Sequence, residues 1–179
     1  DGVLLGAWAS LEQKPDSILD IGTGTGLIAL MLAQRSPALL IDALEIDEDA
    51  YEQAVDNFEQ SPWGDRLFCY HAAFDEFVEE MQDEDKYELI ISNPPFYAED
   101  YTSESASRNK ARFAEALPFS ELLEGVSKLL HPNGEFSTII PHKEESNFIS
   151  LARGFGLFPK NITRVRGNEK SEIKRSLLS

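Results

Sequence analysis

A chain of 179 residues, 42% hydrophobic and 27% charged, is long enough for one domain with a sizeable core, and its composition excludes a disordered or fibrous protein. No apolar run reaches the roughly 18–20 residues of a membrane-spanning helix, and the lone cysteine, Cys69, excludes an internal disulfide framework. The net charge of −16 is uneven: residues 1–140 carry 8 basic and 28 acidic side chains, whereas residues 141–179 carry 8 basic and 4 acidic, so any nucleic-acid contact is expected in the C-terminal part.

Short apolar, β-branched runs alternate with helical patterns, which predicts an α/β fold on a mostly parallel central sheet. A helix over Gly2–Leu11 precedes a strand at Ser17–Ile21, a helix at Gly26–Arg35 and a strand at Leu39–Glu45. Then come a helix at Glu48–Gln60, a strand at Leu67–His71, a helix at Phe74–Met81 and a strand at Leu89–Ser92. After the polar stretch Tyr97–Pro118, read as a functional loop from its length, follow a helix at Phe119–Leu130 and a strand at Gly134–Ile140. A last helix at Glu144–Gly154 leads to strands near Ile162–Val165 and Ile173–Leu178. Residues 1–179 are expected to form a single cytoplasmic domain, monomeric and without a bound metal; Asp1 and the apolar run ending at Ser179 read as trimmed ends.

The first strand runs directly into Gly22-Thr23-Gly24-Thr25-Gly26 and then a helix. Glycines let the backbone turn sharply and let a ligand approach where a Cβ would clash. A dinucleotide loop requires Gly-x-Gly-x-x-Gly, but here the third glycine comes one residue early and Leu27 takes its place. With Asp20 in front, the run is Asp-x-Gly-x-Gly-x-Gly, which resembles the cofactor loop of class I S-adenosylmethionine-dependent methyltransferases. That resemblance implies a three-layer Rossmann-like fold, S-adenosyl-L-methionine as cofactor, and cofactor contacts from Asp20, Gly22, Thr23, Gly24 and Gly26. Glu45, at the end of the second strand, is placed to accept hydrogen bonds from both ribose hydroxyls. A nicotinamide or flavin site is the competing use of such a loop. The family usually carries an acid after the third strand to read the adenine amine; Ala73 stands there, so Asp75 or backbone groups would have to substitute.

At the end of the fourth strand, Asn93-Pro94-Pro95-Phe96 is expected at the C-terminal sheet edge, where ligands bind in such folds. Two prolines fix the backbone and remove two N–H donors. The turn then offers carbonyls beside a carboxamide and an aromatic ring, which suits methylation of a planar amine. The Asn93 side-chain oxygen and the Pro94 carbonyl each accept one amine hydrogen, favouring a pyramidal nitrogen, and Phe96 stacks on the base for about 1–3 kcal/mol.

The tetrad resembles those of adenine-N6, release-factor glutamine-N5 and guanine-N2 ribosomal RNA methyltransferases. The opening Asp1-Gly2-Val3-Leu4-Leu5-Gly6-Ala7-Trp8 narrows the choice, together with Arg108-x-x-Ala111-Arg112, Leu117-Pro118-Phe119, Leu129-Leu130-x-Pro132-x-Gly134 and Lys174-Arg175-x-Leu177-Leu178. These segments resemble the bacterial tRNA(Val) adenine-37 N6-methyltransferase family. The resemblance implies a tRNA substrate whose target adenine turns out of the anticodon loop, and Asp1 helping to close the cofactor pocket. Arg108, Lys110, Arg112, Arg164 and Arg166 are the candidate RNA contacts, with salt bridges to the acidic body as the alternative for Arg108 and Arg112. A ribosomal RNA or a protein glutamine is the rival substrate, and a cofactor-binding RNA module without turnover is the rival class. His71, His131 and His142 are too scattered for a metal site, and Cys69 reads as a core residue. The 17 acids and 2 bases of Asp42–Glu88 read as solvated helix faces.

Overall fold

The computed structural model describes residues 1–94 and 117–179. Its strands are β1 (Ser17–Ile21), β2 (Leu40–Glu45), β3 (Leu67–His71), β4 (Tyr87–Ser92), β5 (Leu130–Pro141), β6 (Ile162–Val165) and β7 (Arg175–Leu178). The described helices are α1 (Gly2–Trp8), α2 (Leu27–Arg35), α3 (Glu48–Glu59), α4 (Phe74–Met81), α5 (Phe119–Leu129) and α6 (Glu145–Gly154), with a 3₁₀ turn at His142–Glu144. All seven strands join one sheet in the order β3-β2-β1-β4-β5-β7-β6. The pairs from β3 to β5 are parallel, while β7 runs antiparallel to both β5 and β6.

Alternation along the strands creates the three layers. Ile18, Ile41, Leu89 and Ile91 face a cluster with Leu5 of α1, Leu32 of α2 and Phe58 of α3. Leu19, Ile21, Leu44 and Ile90 face the other side, against Phe77 of α4 and Leu122 and Val126 of α5. Because both faces are covered, β1, β2 and β4 read as nearly continuous apolar runs. A third cluster, Leu123, Ile140, Phe148 and Leu178, packs α6 onto the β5–β7 half.

Two arginines of the acidic N-terminal part serve the architecture. Arg35 donates to the carbonyls of Gly6 and Ala9 at the end of α1. Arg66 donates to Ala33, Ser36 and Ala38 at the end of α2. Helix C-termini leave carbonyls without intrahelical partners, and a guanidinium satisfies several at once. Beneath the sheet edge, Tyr87 Oη donates to Asp42 Oδ2 at 2.6 Å, and burial holds the Asp42 carboxyl above its ordinary range.

Elements differ from their sequence expectation mainly at the ends. Helix α1 stops at Trp8, not Leu11, because Ala9 turns extended at φ −51° and ψ 131°. Strand β4 starts two residues early, at Tyr87, and β5 starts at Leu130, ahead of the expected Gly134. The β4–β5 register shifts there, from Tyr87 opposite Leu130 to Leu89 opposite Glu135, so Pro132 and Gly134 sit within an irregular start to the strand. No helix among the described residues is long and apolar enough to cross a membrane.

Candidate functional site

Strand register assembles the candidate site. Ile21 of β1 lies opposite both Leu44 of β2 and Ser92 of β4, so Glu45, Gly22 and Asn93 reach the C-terminal edge on three neighbouring strands. Neighbouring strands are about 4.8 Å apart, which places Glu45 and Asn93 roughly 10 Å from each other with the glycine loop between them. The Ser92 hydroxyl donates to the Ile21 carbonyl at 2.9 Å and clasps the two exits together. Sequence reading missed this clasp, since a serine ending an apolar strand carries no signal of its cross-strand partner.

Asp20 organises the loop from below. Its side chain is 0% exposed. Oδ2 accepts from the Thr23 hydroxyl at 2.6 Å and from the Ala29 N–H of α2 at 3.2 Å, and Oδ1 is buried without a partner among the described residues. Burial pushes the Asp20 carboxyl up to about 7; the Thr23 and Ala29 hydrogen bonds pull it down, and the charge of Glu45 adds to the rise. Thr23 therefore braces the loop: its hydroxyl is turned to Asp20, and its N–H donates to the Leu44 carbonyl.

The three glycines have different tasks. Gly22 and Gly24 adopt φ of +69° and +60°, and a Cβ on either would meet none of the described residues within 4 Å. Among the described residues, nothing fills the space directly over them. Gly26, at φ +84°, caps α2, and a Cβ there would lie 2.4 Å from Phe58 Cε1. It permits α3 to pack against the loop on the side where a Cβ would stand.

Glu45 is fixed by backbone donors: Gly24 N–H on Oε2 at 2.7 Å, and the N–H groups of Ile46 and Asp47 on Oε1 at 2.9 and 3.0 Å. A carboxylate offers about four acceptor positions, so its orientation is set while acceptor capacity remains. Ile46, directly after it, is 52% exposed, and its carbonyl lies 3.0 Å from His71 Nε2, in a ring that stacks on Tyr51. Sequence reading overlooked Ile46, because one apolar residue after a strand resembles its continuation. Asp75 is exposed in the first turn of α4, two residues beyond the Ala73 cap.

Asn93 is half-buried and Pro94 buried. Pro95 and Phe96 lie outside the described residues, as do Arg108, Lys110, Arg112 and nearly all of the Tyr97–Pro118 stretch. Arg164, a candidate RNA contact, is bound within the protein: Nε and Nη2 donate to Glu145 at 3.0 and 2.6 Å. Glu145 also accepts from the Ser176 hydroxyl and lies 3.2 Å from His142 Nδ1; mainly through the Arg164 hydrogen bonds, its carboxyl is held down at about 2. Arg166 is exposed just past β6. Asp1 accepts from Arg175 Nε at 2.8 Å and so ties α1 to β7. Among the described residues, no cluster of three or more potential metal ligands occurs.

A model of the methyltransferase small domain family matches residues 8–162. Over its full length the chain is 69% identical to a tRNA1(Val) (adenine(37)-N6)-methyltransferase of Christiangramia forsetii, of which it covers 75%. It is 64% identical, again over its full length and 75% of the relative, to the protein of the same name from Flavobacterium johnsoniae. A methyltransferase crystal structure from Pyrococcus furiosus aligns with a TM-score of 0.64 and 24% identity, over 90% of this chain and 73% of that one, and shares the fold. With the strand order, the glycine loop and full-length identity in agreement, the chain belongs to the tRNA1(Val) (adenine(37)-N6)-methyltransferase family.

Proposed function

We propose that Asn93 and Pro94 hold the N6 amine of adenine 37 of a valine tRNA for methylation by S-adenosyl-L-methionine bound over the glycine loop, with residues 1–179 acting as one domain. The carrying observation is the register of β1 with β4, which brings Gly22 and Asn93 out of the sheet side by side. The substrate and the reaction are those named for relatives 69% and 64% identical to this chain.

The residues present fit that cofactor. Oδ1 of Asp20, without a partner among the described residues, would take a donor such as the methionine ammonium. The space over Gly22 and Gly24, clear of the described residues, would admit the methionine part. Glu45, already oriented by three N–H groups, would have acceptor capacity left for a ribose hydroxyl. Exposed Ile46 offers an apolar surface to the adenine ring, and Asp75 is the nearest acid beyond the third strand for its amine. S-adenosyl-L-methionine supplies a methyl group activated by its sulfonium sulfur.

The chain's own task is to make a poor nucleophile competent. An exocyclic adenine nitrogen shares its lone pair with the ring. The Asn93 side-chain oxygen and the Pro94 carbonyl accept its two hydrogens, favour a pyramidal nitrogen and aim the lone pair away from the protein. Pro95 and Phe96, which lie outside the described residues, are assigned to this site from the sequence of the tetrad alone. Positioning and fixed dipoles of this kind supply most of the barrier reduction in such transfers. The methylated nitrogen then loses a proton to water; its positive charge is shared with the ring, so it is acidic and needs no strong base.

The test is a methyl-transfer assay with radiolabelled donor and unmodified valine tRNA, ribosomal RNA and a release factor in parallel, followed by digestion of the product. The expected product is N6-methyladenosine from tRNA. Label in guanosine or in glutamine would replace the substrate, and cofactor binding without label in any acceptor would remove the catalytic reading.

A further inference from the structure

The C-terminal sheet edge is electrically divided. At the β3–β2 end, the first turns of α3 and α4 present Asp47, Glu48, Asp49, Asp75 and Glu76, all exposed. At the other end, Lys143 follows β5, and the connection between β6 and β7 carries Arg166, Lys170 and Lys174, all exposed; Glu144, Glu169 and Glu172 are interspersed, so this end is slightly positive where the other is strongly negative. Strand register fixes their level: Pro141, Arg175 and Val165 lie opposite one another, so the connection between Val165 and Arg175 rises from the same edge as Asn93. The Lys174 backbone bridges the neighbouring elements, accepting from His142 N–H and donating to the Val165 carbonyl.

These cations are available, unlike most others in the described chain. Arg164, Arg175 and Lys160 are paired with Glu145, Asp1 and Glu135, and Arg35 and Arg66 cap helices. No ion pair involves Lys143, Arg166, Lys170 or Lys174 among the described residues. The tip that carries Lys170 is held by its own bonds: Asn168 N–H to Ser171 Oγ, Lys170 N–H to Asn168 Oδ1, and Ser171 Oγ to the Asn168 carbonyl. From β2 to β7 is four strand spacings, roughly 19 Å, more than twice the screening length of about 8 Å at physiological salt. The two ends therefore act on a polyanion independently, despite the net charge of −16.

We propose that the tRNA rests its phosphates on Lys143, Arg166, Lys170 and Lys174 at the β5–β7–β6 end, while the acidic β3–β2 end repels it. The target base then reaches Asn93 from the β6 side alone. This rests on the tRNA reading above. It explains how an acidic enzyme holds RNA: local charge at one end of one edge suffices, and repulsion elsewhere fixes the approach.

The experiment neutralises the four together (Lys143→Gln, Arg166→Gln, Lys170→Gln, Lys174→Gln) and measures binding and methylation of unmodified valine tRNA across a salt series. A control removes the same charge at the opposite sheet edge, with Lys14→Gln, Lys86→Gln, Lys128→Gln and Arg153→Gln. Each phosphate contact contributes about 0.7–0.9 to the slope of log affinity against log salt. The edge variant should therefore lose about three from that slope and raise KM for tRNA at least tenfold, with S-adenosyl-L-methionine affinity unchanged. The control should stay within about twofold of the wild type. Unchanged tRNA affinity in the edge variant, or an equal loss in the control, would overturn the docking surface, as would a wild type that does not bind tRNA. A wild type that binds tRNA through these residues yet makes no N6-methyladenosine would keep the surface and overturn the functional reading.

Discussion

Asp20→Asn isolates the energetic consequence of burying an acid under the glycine loop. The carboxyl is fully buried, Oδ1 has no donor among the described residues, and its folded value of about 7 stands well above the ordinary 3.8. The folded state therefore binds a proton more tightly than the unfolded chain. Between those two values, stability falls as pH rises, and above pH 7 the full cost is present. At about 1.4 kcal/mol per pH unit, the window amounts to roughly 4 kcal/mol, a large share of a domain's stability. Asparagine keeps an oxygen for Thr23 and Ala29 but cannot ionise. Urea unfolding followed by tryptophan fluorescence at pH 5 and pH 8, without cofactor, should show the variant gaining on the wild type by about 2–4 kcal/mol as pH rises. Parallel pH profiles for the two proteins would refute the reasoning. If the methionine ammonium binds beside Oδ1 as proposed, adding S-adenosyl-L-methionine should shrink the wild-type deficit at pH 8 by stabilising the charged form.

Asn93→Ala should lower turnover by at least about 10²-fold, the usual effect of removing one positioned polar group from a transition state, while calorimetry shows cofactor affinity within about twofold of the wild type. Gly26→Ala combines a residue at positive φ with a contact of 2.4 Å to Phe58, so thermal unfolding should show a loss of about 2–5 kcal/mol. Gly24→Ala, whose Cβ meets none of the described residues, should cost stability much less and instead weaken cofactor binding. Glu145→Gln should cost about 1.5–3 kcal/mol near pH 7 by breaking charged hydrogen bonds to Arg164. Because the folded carboxyl sits at about 2, below the ordinary 4.5, that contribution is present above pH 4.5 and lost as pH falls through 2, so the gap between the two proteins' melting temperatures should narrow from pH 4.5 downward and close at about pH 2.

Local features were legible in the sequence. Strands β1 and β3 and helix α4 occupy their expected residues, because apolar alternation and helical spacing are properties of neighbours in the chain. The order of glycine loop and strand-end acid likewise fixed the positions of Gly22 and Glu45. What escaped depends on pairs distant in sequence. Gly26 reads as part of a ligand loop until Phe58 is seen against it. Arg164 reads as a free cation until Glu145, on another element, is found within 2.6 Å. The start of β5 was missed because Pro132 and Gly134 resemble a turn, and only pairing of Leu130 with Tyr87 draws that segment into the sheet.

The placement of β7 bears on how the chain is synthesised. Arg175–Leu178 is the last described strand in sequence, yet it lies inside the sheet, between β5 and β6, with Ser176, Leu177 and Leu178 buried. On the ribosome, β1 to β4 can associate as they emerge, but β6 leaves the exit tunnel before β7, its partner among the described strands. At about 5–20 residues per second, the segment from Val165 to Leu178 takes roughly one to three seconds to appear. During that interval β5 offers an open edge, and open edges recruit strands of other chains. A stop codon or frameshift just ahead of Arg175 would therefore strand β6 and expose β5 while leaving every glycine-loop residue intact. Such a product should be recovered as aggregate, not as a soluble enzyme of reduced activity.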